Sequence, residues 1–397
     1  GIVDDCVPAL VLVGGPVVGT LRQMEPLPAR LAALPRVDLA ALAAEGAGAR
    51  RTWAVEADDT AVMLYTSGST GNPKGVMLSQ GNFLHVARAM ATDCRLDASS
   101  TFCIWIPGYH ISGLYSGIML PLWAGARCIG FTPRSFVERP ARWLEAIDRH
   151  KVTFSGAPTF AYDMLTRTVT PEQSAGLDLS SWQVAVVGGE AVRREVIEKF
   201  VARFTANGFQ RNRFYTMFGL TEAVMISTGC GYQTGPTEEW IDRDRLQEGI
   251  AVPVPADHPA ARASIASGFA LPDTEVLVVD PKSFQPQPNR MVGEIWIGGK
   301  GVGKGYWGRQ PATLETFGAR TADGSGPYLR TGDLAYMAGG QLNIVGRLKE
   351  MIIIRGLNFY PDDLEGSVRR SHPLLAEARL AAFAVELDGQ EQLAVAV

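Results

Sequence analysis

Cysteine is scarce in this sequence and follows no pattern. Its five copies, Cys6, Cys94, Cys103, Cys128 and Cys230, are odd in number and include no Cys-x-x-Cys pair. Neither a disulfide framework nor a zinc cage is therefore expected, and a reducing cytoplasm suits such residues best. Histidine is equally sparse: five residues without His-x-x-x-His spacing give no structural metal site. No apolar run approaches the ~18 residues that a membrane-spanning helix needs, so no stable membrane insertion is expected. The opening stretch GIVDDCVPALVLVGG lacks the basic start and cleavage site of a signal peptide. A net charge of −4 removes any general attraction to nucleic acid or to an anionic membrane.

What is present is ordinary for a globular enzyme: 397 residues, 46% hydrophobic and 20% charged, enough for two or three domains and a large core. Residues 14–58 are rich in Ala, Leu, Pro and Gly and read as short helices and surface connections. Strand and helix signals then alternate. AVMLYT, TFCIWIP and WQVAVVGGE are apolar runs that end in small or turn residues, while GNFLHVARAMATDC, PARWLEAIDRHKVT and VRREVIEKFVARF carry helical spacing. Such alternation is the mark of α/β layers with ligand loops at strand ends. From about residue 268 short strands separated by Gly, Asp and Asn turns predict a β-rich subdomain. The fold expected is α/β: a large layered domain over 1–346, β-rich from about 268, followed over 347–397 by a small, incomplete α+β subdomain consisting of a helix, a strand and the start of another strand.

The stretch YTSGSTGNPKG invites comparison with a P-loop, but the letters do not match. Counting from Gly68, the sixth position is Pro73 in place of glycine, and Gly75 follows Lys74 where Ser or Thr is required. The ingredients still suit phosphate, since small residues let backbone amides approach, hydroxyls donate and a lysine adds charge. Four further stretches stand out: VVGGEAV, YTMFGLTEA, YLRTGDLAYM and GRLKEMIIIRGLNFYP. Taken singly, each has a bland reading. Glu222 is a helix-cap acid, Asp333 a turn residue, Arg347 a solvated arginine and Phe218 a core ring.

Together and in this order, YTSGSTGNPKG, MFGLTE, YLRTGD and GRLKE resemble the adenylate-forming superfamily, over roughly residues 57–370. Within it the chain is most similar to fatty acyl-AMP ligases, on PLWAGARCIGFTPRSFVERPARWLEAIDRHKVTFSGAPTFAYDML and RGLNFYPDDLE. The segment 240–254, WIDRDRLQEGIAVPV, resembles the place where those ligases carry an insertion associated with poor use of CoA. The resemblance implies ATP and Mg²⁺ as cofactors and a fatty acid as substrate. It implies as acceptor an acyl carrier protein, often within a polyketide or nonribosomal synthase module. It also implies roles for particular residues. Thr66, Ser67, Gly68, Ser69, Thr70, Gly71 and Lys74 would hold the β- and γ-phosphates; Glu222 would hold Mg²⁺ and Thr221 donate to the α-phosphate. Asp333 would take the ribose diol, with Arg347 at the ribose and phosphate edge. Adenine would lie between Phe218, followed by Gly219, and the Gly188, Gly189 and Glu190 backbone. Lys349 matches the hinge. Trp105, Tyr109, His110, Phe154, Phe160 and Tyr162 are candidates for the acyl pocket, and each is equally compatible with ordinary core.

Two departures from the family pattern bear on the reading. The run YHDMGL is here YHISGL, which keeps His110 but replaces the acid by Ile111 and the methionine by Ser112, so the acid accepted is open. No residue occupies the place of the family's distal C-terminal lysine before Val397. The expectation is a fragment of a longer polypeptide that turns over slowly alone. An acyl- or aryl-CoA ligase with the same adenylation chemistry, and a nucleotide-binding module without turnover, remain as alternatives.

Overall fold

The computed structural model describes residues 2–14, 29–44, 53–66, 73–354, 357–375, 378–387 and 390–397. Its centre is a seven-stranded sheet in the order Phe269–Ala270, Thr228–Gly229, Phe214–Phe218, Val184–Val187, Phe154–Ala157, Thr101–Ile104, Arg127–Gly130. The last five run parallel, and the two on the other edge are antiparallel. Phe154–Ala157, Thr101–Ile104 and Val184–Val187 are buried at every position. This is why they read as continuous apolar runs and not as alternating ones: a parallel sheet is covered on both faces.

The covering helices follow their spacing. Ala141–His150 buries Ala141, Trp143, Leu144 and Ile147 and ends on Lys151 in the left-handed region. Arg194–Phe204 buries Val196, Ile197, Phe200 and Phe204. On the other face Gln80–Asp93 starts with a capping box, the Ser79 hydroxyl accepting from Asn82 N and the Asn82 side chain accepting from Ser79 N. Under the first two helices lies an aromatic core in which Trp143, Tyr162, Trp182, Phe200, Phe209 and Phe214 meet mostly edge to face. Its polar atoms are satisfied: Trp143 Nε1 donates to Ser155 Oγ at 2.8 Å, and the Tyr162 hydroxyl to Val186 O at 2.8 Å.

Two smaller sheets complete the body. Thr60–Thr66 and Lys74–Ser79 form an antiparallel hairpin, to which the two-residue strand Gly305–Tyr306 adds a third member. Thr274–Val279, Gly293–Gly299, Leu329–Ala338 and Gln341–Arg347 form a four-stranded antiparallel sheet. This is the β-rich part expected from residue 268, except that Phe269–Ala270 still pairs with the large sheet. Segment 240–254 lies in and beyond the hairpin strand Glu238–Asp242, with the short helix Arg243–Gln247, and the partner strand is Ala261–Ile265. Arg262 pairs with Asp363 at 2.6 Å and so ties this hairpin to the helix Pro361–Ser371.

In the C-terminal part Gln390–Ala396 pairs antiparallel with Ala381–Leu387 along all seven residues. Phe200 is fully buried with its ring 5.2 Å from Tyr162, 4.7 Å from Phe204 and 5.0 Å from Phe209. Phe200→Ala is expected to cost about 3–5 kcal/mol in urea unfolding, because the rings that surround it cannot all collapse into the space.

Candidate active site

In an open α/β sheet the crevice outside the carboxyl ends of the parallel strands is the usual position for a ligand. Phe218 leads into Gly219, Leu220, Thr221 and Glu222, and the last two open a short 3₁₀ turn. The turn is tight. A Cβ on Gly219 would stand 1.9 Å from Met225 O, so only glycine fits. Val224 and Met225 both sit at positive φ, 49° and 76°, a conformation that is uncommon for any side-chain-bearing residue and rarer still for a β-branched one. Bonds from Val224 N to Thr221 O (3.2 Å) and from Met225 N to Leu220 O (2.9 Å) close the loop and present Glu222.

Glu222 meets Lys74 through a residue that sequence reading missed. The Tyr306 hydroxyl donates to Glu222 Oε1 at 3.0 Å, and Lys74 Nζ lies 4.7 Å from the centre of the same ring. Burial and the Glu222 carboxylate push the Tyr306 hydroxyl well above its ordinary value, so it remains a donor. The backbone holds this arrangement, since Gly303 N donates to Glu222 O at 2.8 Å. Thr66 pairs with Lys74 across the hairpin. Ser67, Gly68, Ser69, Thr70 and Gly71, which lie between them, and Arg355 are outside the described residues.

Asp333 and Arg347 face each other in register on neighbouring strands and form an ion pair at 3.1 Å. The aspartate is 14% exposed and the arginine 65%. Burial therefore outweighs the screened guanidinium, the Glu350 and Glu222 carboxylates act in the same direction as burial, and the Asp333 carboxyl is pushed up to about 6. A second residue that was missed is Glu294, 2% exposed. It accepts from Gly332 N (3.1 Å) and Trp296 Nε1 (3.0 Å) and pairs with Arg330 at 2.7 Å, which fixes the Thr331-Gly332-Asp333 turn. The runs GEIW and GKGYW contained both residues, but nothing in spacing or composition distinguishes a buried anchor from a surface acid or a core ring.

After the strand Val184–Val187, Gly188 approaches so closely that a Cβ would stand 2.6 Å from Met217 O, and Gly189 has φ +79°. Phe218 is 9% exposed and packs with Ala223, Ile295 and Leu329. The Glu190 carboxylate accepts from Phe160 N at 2.7 Å, at the start of the helix Thr159–Thr168. Lys349 is exposed in the turn after Arg347, and Leu348 N bonds Gly332 O at 2.9 Å.

The aromatic candidates separate into two groups. Tyr109 is 83% exposed, and His110, also exposed, accepts from Ser112 N at 3.2 Å as a helix cap. Phe160 is 42% exposed and meets Trp105 edge-on, and Trp105 also stacks on Phe136 at 4.0 Å and meets Trp143 edge-on at 5.8 Å. Tyr162 and Phe154 are interior, the first bonded to Val186 O and the second against Phe102 at 4.7 Å. Among the described residues no group of three His, Cys, Asp or Glu side chains forms a metal cage, and no helix is long and apolar enough to cross a membrane.

Comparison with known proteins agrees with this geometry. The family model described as AMP-binding enzyme matches residues 2–307. The medium-chain fatty acid to acyl-carrier-protein ligase JamA of Moorena producens is 39% identical over 344 residues, which are 86% of this chain and 58% of that one. The long-chain-fatty-acid–AMP ligase FadD26 of Mycobacterium marinum is 35% identical, with 85% and 59% covered. A solved fatty acyl-adenylate ligase of Legionella pneumophila, in complex with acyl adenylate and pyrophosphate, superposes with a TM-score of 0.83 at 32% identity, over 99% of this chain and 68% of that one. The chain thus spans under two thirds of the length of the curated relatives it matches.

Two outcomes are expected from this geometry. Gly219→Ala should lower stability by about 1–3 kcal/mol in urea unfolding and weaken Mg²⁺-dependent ATP binding further, because the turn must open to admit the methyl group. The raised pKa of Asp333 means that the folded chain binds this proton more tightly than the unfolded one. Between the ordinary value of 3.8 and about 6, this group's contribution to stability therefore falls as pH rises. If Asp333 takes the ribose diol, as the resemblance implies, the sign for ATP binding is the reverse, since the ionised carboxylate is the better acceptor. Affinity measured by calorimetry should drop about tenfold from about pH 7 to about pH 5, and Asp333→Asn should lack that step.

Proposed function

This chain belongs to the family of AMP-binding enzymes, and from that premise we propose that it activates a fatty acid as its acyl-adenylate and passes the acyl group to the phosphopantetheine thiol of an acyl carrier protein. The observation that carries the reading is the convergence of a lysine, a carboxylate and an Asp–Arg pair on one crevice: Lys74 and Glu222 joined through Tyr306, and Asp333 with Arg347 beside them.

In the first half-reaction an oxygen of the fatty carboxylate attacks the α-phosphorus of ATP. The bond from that phosphorus to the bridging oxygen breaks, and pyrophosphate leaves with the electron pair. Negative charge crowds at the triphosphate, so the site must supply donors and cations that are already in place. Lys74 and Thr66 would face the β- and γ-phosphates, together with Ser67, Gly68, Ser69, Thr70 and Gly71, and Thr221 would donate at the α-phosphate. Asp333 would accept from both ribose hydroxyls, with Arg347 covering the phosphate edge. Adenine would lie on the Gly188–Gly189 backbone near Glu190, against the part of Phe218 that its cluster leaves open. The residues fit Mg²⁺. Glu222 offers a hard carboxylate of which one oxygen is bonded to Tyr306, and this cation takes few protein ligands beside phosphate. When bound, Mg²⁺ neutralises charge on the phosphates.

In the second half-reaction the thiol sulfur attacks the acyl carbonyl, AMP departs, and the thiol proton passes to solvent. Lys349 would serve as the pivot between the adenylation body, 1–346, and the C-terminal subdomain that begins at 347. Trp105, Phe160, Tyr109 and His110 would form the mouth of the acyl site, with Tyr162 as its inner support. The acyl-carrier-protein name of the relative JamA favours a carrier protein as acceptor, set, as the resemblance implies, in a polyketide or nonribosomal synthase module. Five cysteines without a disulfide accord with a cytoplasmic setting.

The test is mass spectrometry of products from ATP, Mg²⁺ and acids from butanoic to octadecanoic, with benzoates alongside, run with CoA, with carrier protein and with neither. Acyl-AMP that persists with CoA and is consumed by carrier protein is the expected result. Acyl-CoA would move the protein to the CoA ligases, and ATP binding without any adenylate would leave a non-catalytic module.

A further inference from the structure

Tyr306 is placed in a way that a core tyrosine is not. Tyr162, in the aromatic interior, gives its hydroxyl to a backbone carbonyl. Tyr306, 7% exposed, gives its hydroxyl to the Glu222 carboxylate at 3.0 Å and a face of its ring to the Lys74 ammonium at 4.7 Å. Phenylalanine would fill the same space, so filling space does not account for the hydroxyl.

The ring is also held on every side. Tyr306 N donates to Thr313 Oγ1 at 2.9 Å, and the Thr313 hydroxyl donates back to Tyr306 O at 3.3 Å. Gly305 before it, at φ +125°, passes so close to Thr313 that a Cβ would stand 2.3 Å from its methyl carbon. Trp307 N donates to Gly75 O at 2.8 Å, beside Lys74, and Phe317 meets the ring edge-on at 5.1 Å. One rigid side chain thus touches a cation on one strand of the hairpin and an anion on the turn after Phe218.

We propose that Tyr306 is a positioning residue for the magnesium–triphosphate group: it fixes the separation of Lys74 and Glu222 and aims the Glu222 carboxylate at the cation. The proposal rests on the adenylation reading for the roles of those two residues. A hydroxyl that donates to one carboxylate oxygen sets the torsion of the group and leaves its other oxygen for a metal. The ring face keeps Lys74 extended toward the phosphates without neutralising it, as a carboxylate partner would. If Tyr306 were merely structural, its loss would weaken every part of the nucleotide site alike.

The test uses the 397-residue chain and two variants, Tyr306→Phe and Tyr306→Leu. Mn²⁺ replaces Mg²⁺, so that metal binding is read by electron paramagnetic resonance with a non-hydrolysable ATP analogue, independently of turnover. Adenosine affinity by calorimetry reports on the rest of the site, and melting temperature on the fold. Tyr306→Phe keeps the ring and loses one bond to a charged group, so half-saturation by Mn²⁺ should need about tenfold more metal, with adenosine affinity unchanged. Tyr306→Leu also loses the ring, and binding of the analogue without metal should weaken by a further factor of about two to five. A wild-type Mn²⁺ curve in Tyr306→Phe overturns the proposal, as does an equal loss of metal and adenosine binding. A wild-type chain that binds Mn²⁺ and nucleotide yet yields no acyl-adenylate overturns the adenylation reading alone, and the metal curve still decides on Tyr306. A wild-type chain that binds neither overturns both.

Discussion

Two backbone hydrogen bonds, from Lys304 N to Met77 O at 2.9 Å and from Trp307 N to Gly75 O at 2.8 Å, dock residues 303–307 on the inner strand of the 60–79 hairpin. Much of the crevice depends on this attachment. It brings Gly303 under the Glu222 carbonyl and Tyr306 between Lys74 and the Glu222 carboxylate. The cation comes from a hairpin and the acid from a turn of the large sheet, and Tyr306 lies between the two side chains. A two-residue strand would be worthless as a free element, but here both neighbours are already ordered, and it adds pairing at little cost in entropy.

The same region shows how the fold manages charge. The Glu294 carboxylate is taken wholly out of water, and its position is tolerable only because Arg330, Trp296 Nε1 and Gly332 N together satisfy it. Removing one partner from such a group is far more damaging than never having buried it. Asp333, the neighbour of Gly332 on the adjoining strand, is satisfied only in part, by an arginine that stays mostly in water. The contrast is between an anchor, bonded until nothing is left over, and a ligand group, whose capacity is kept for something else. Among groups so close together, the difference is set by the exposure of the arginine and not by its distance.

Much of the fold was legible. The runs TFCIWIP and WQVAVVGGE became parallel strands buried on both faces, whereas AVMLYT became an antiparallel hairpin strand, and helical spacing in 141–150 and 194–204 matched the faces that pack. The motifs singled out Lys74, Glu222, Asp333 and Arg347, and the structure joins the first two through Tyr306 and the last two as an ion pair. Tyr306 and Glu294 were not legible, since their roles arise from contacts with residues distant in sequence. The aromatic candidates failed to separate for the related reason that residue type does not say which side of a sheet a ring faces. Trp105 and Phe160 meet near the surface, while Tyr162, two positions beyond Phe160 on the same helix, points into the interior. The π-helical turn Tyr115–Met119 was equally unforeseen, as hydropathy does not distinguish it from α-helix.

The pair of left-handed residues after Glu222 has a thermodynamic consequence. Val224 and Met225 each carry about 1–3 kcal/mol of local strain, and no isolated segment would choose that conformation. The corner is imposed from outside, by Gly219 beneath it and by Ser116, whose hydroxyl reaches the Met225 sulfur at 3.4 Å. It therefore exists only once the large sheet and the 111–124 helices have assembled. Nucleotide held at this corner, as the proposed function has it, would be linked to the folding of the whole domain, and saturation with ligand would stabilise the chain globally instead of ordering one loop.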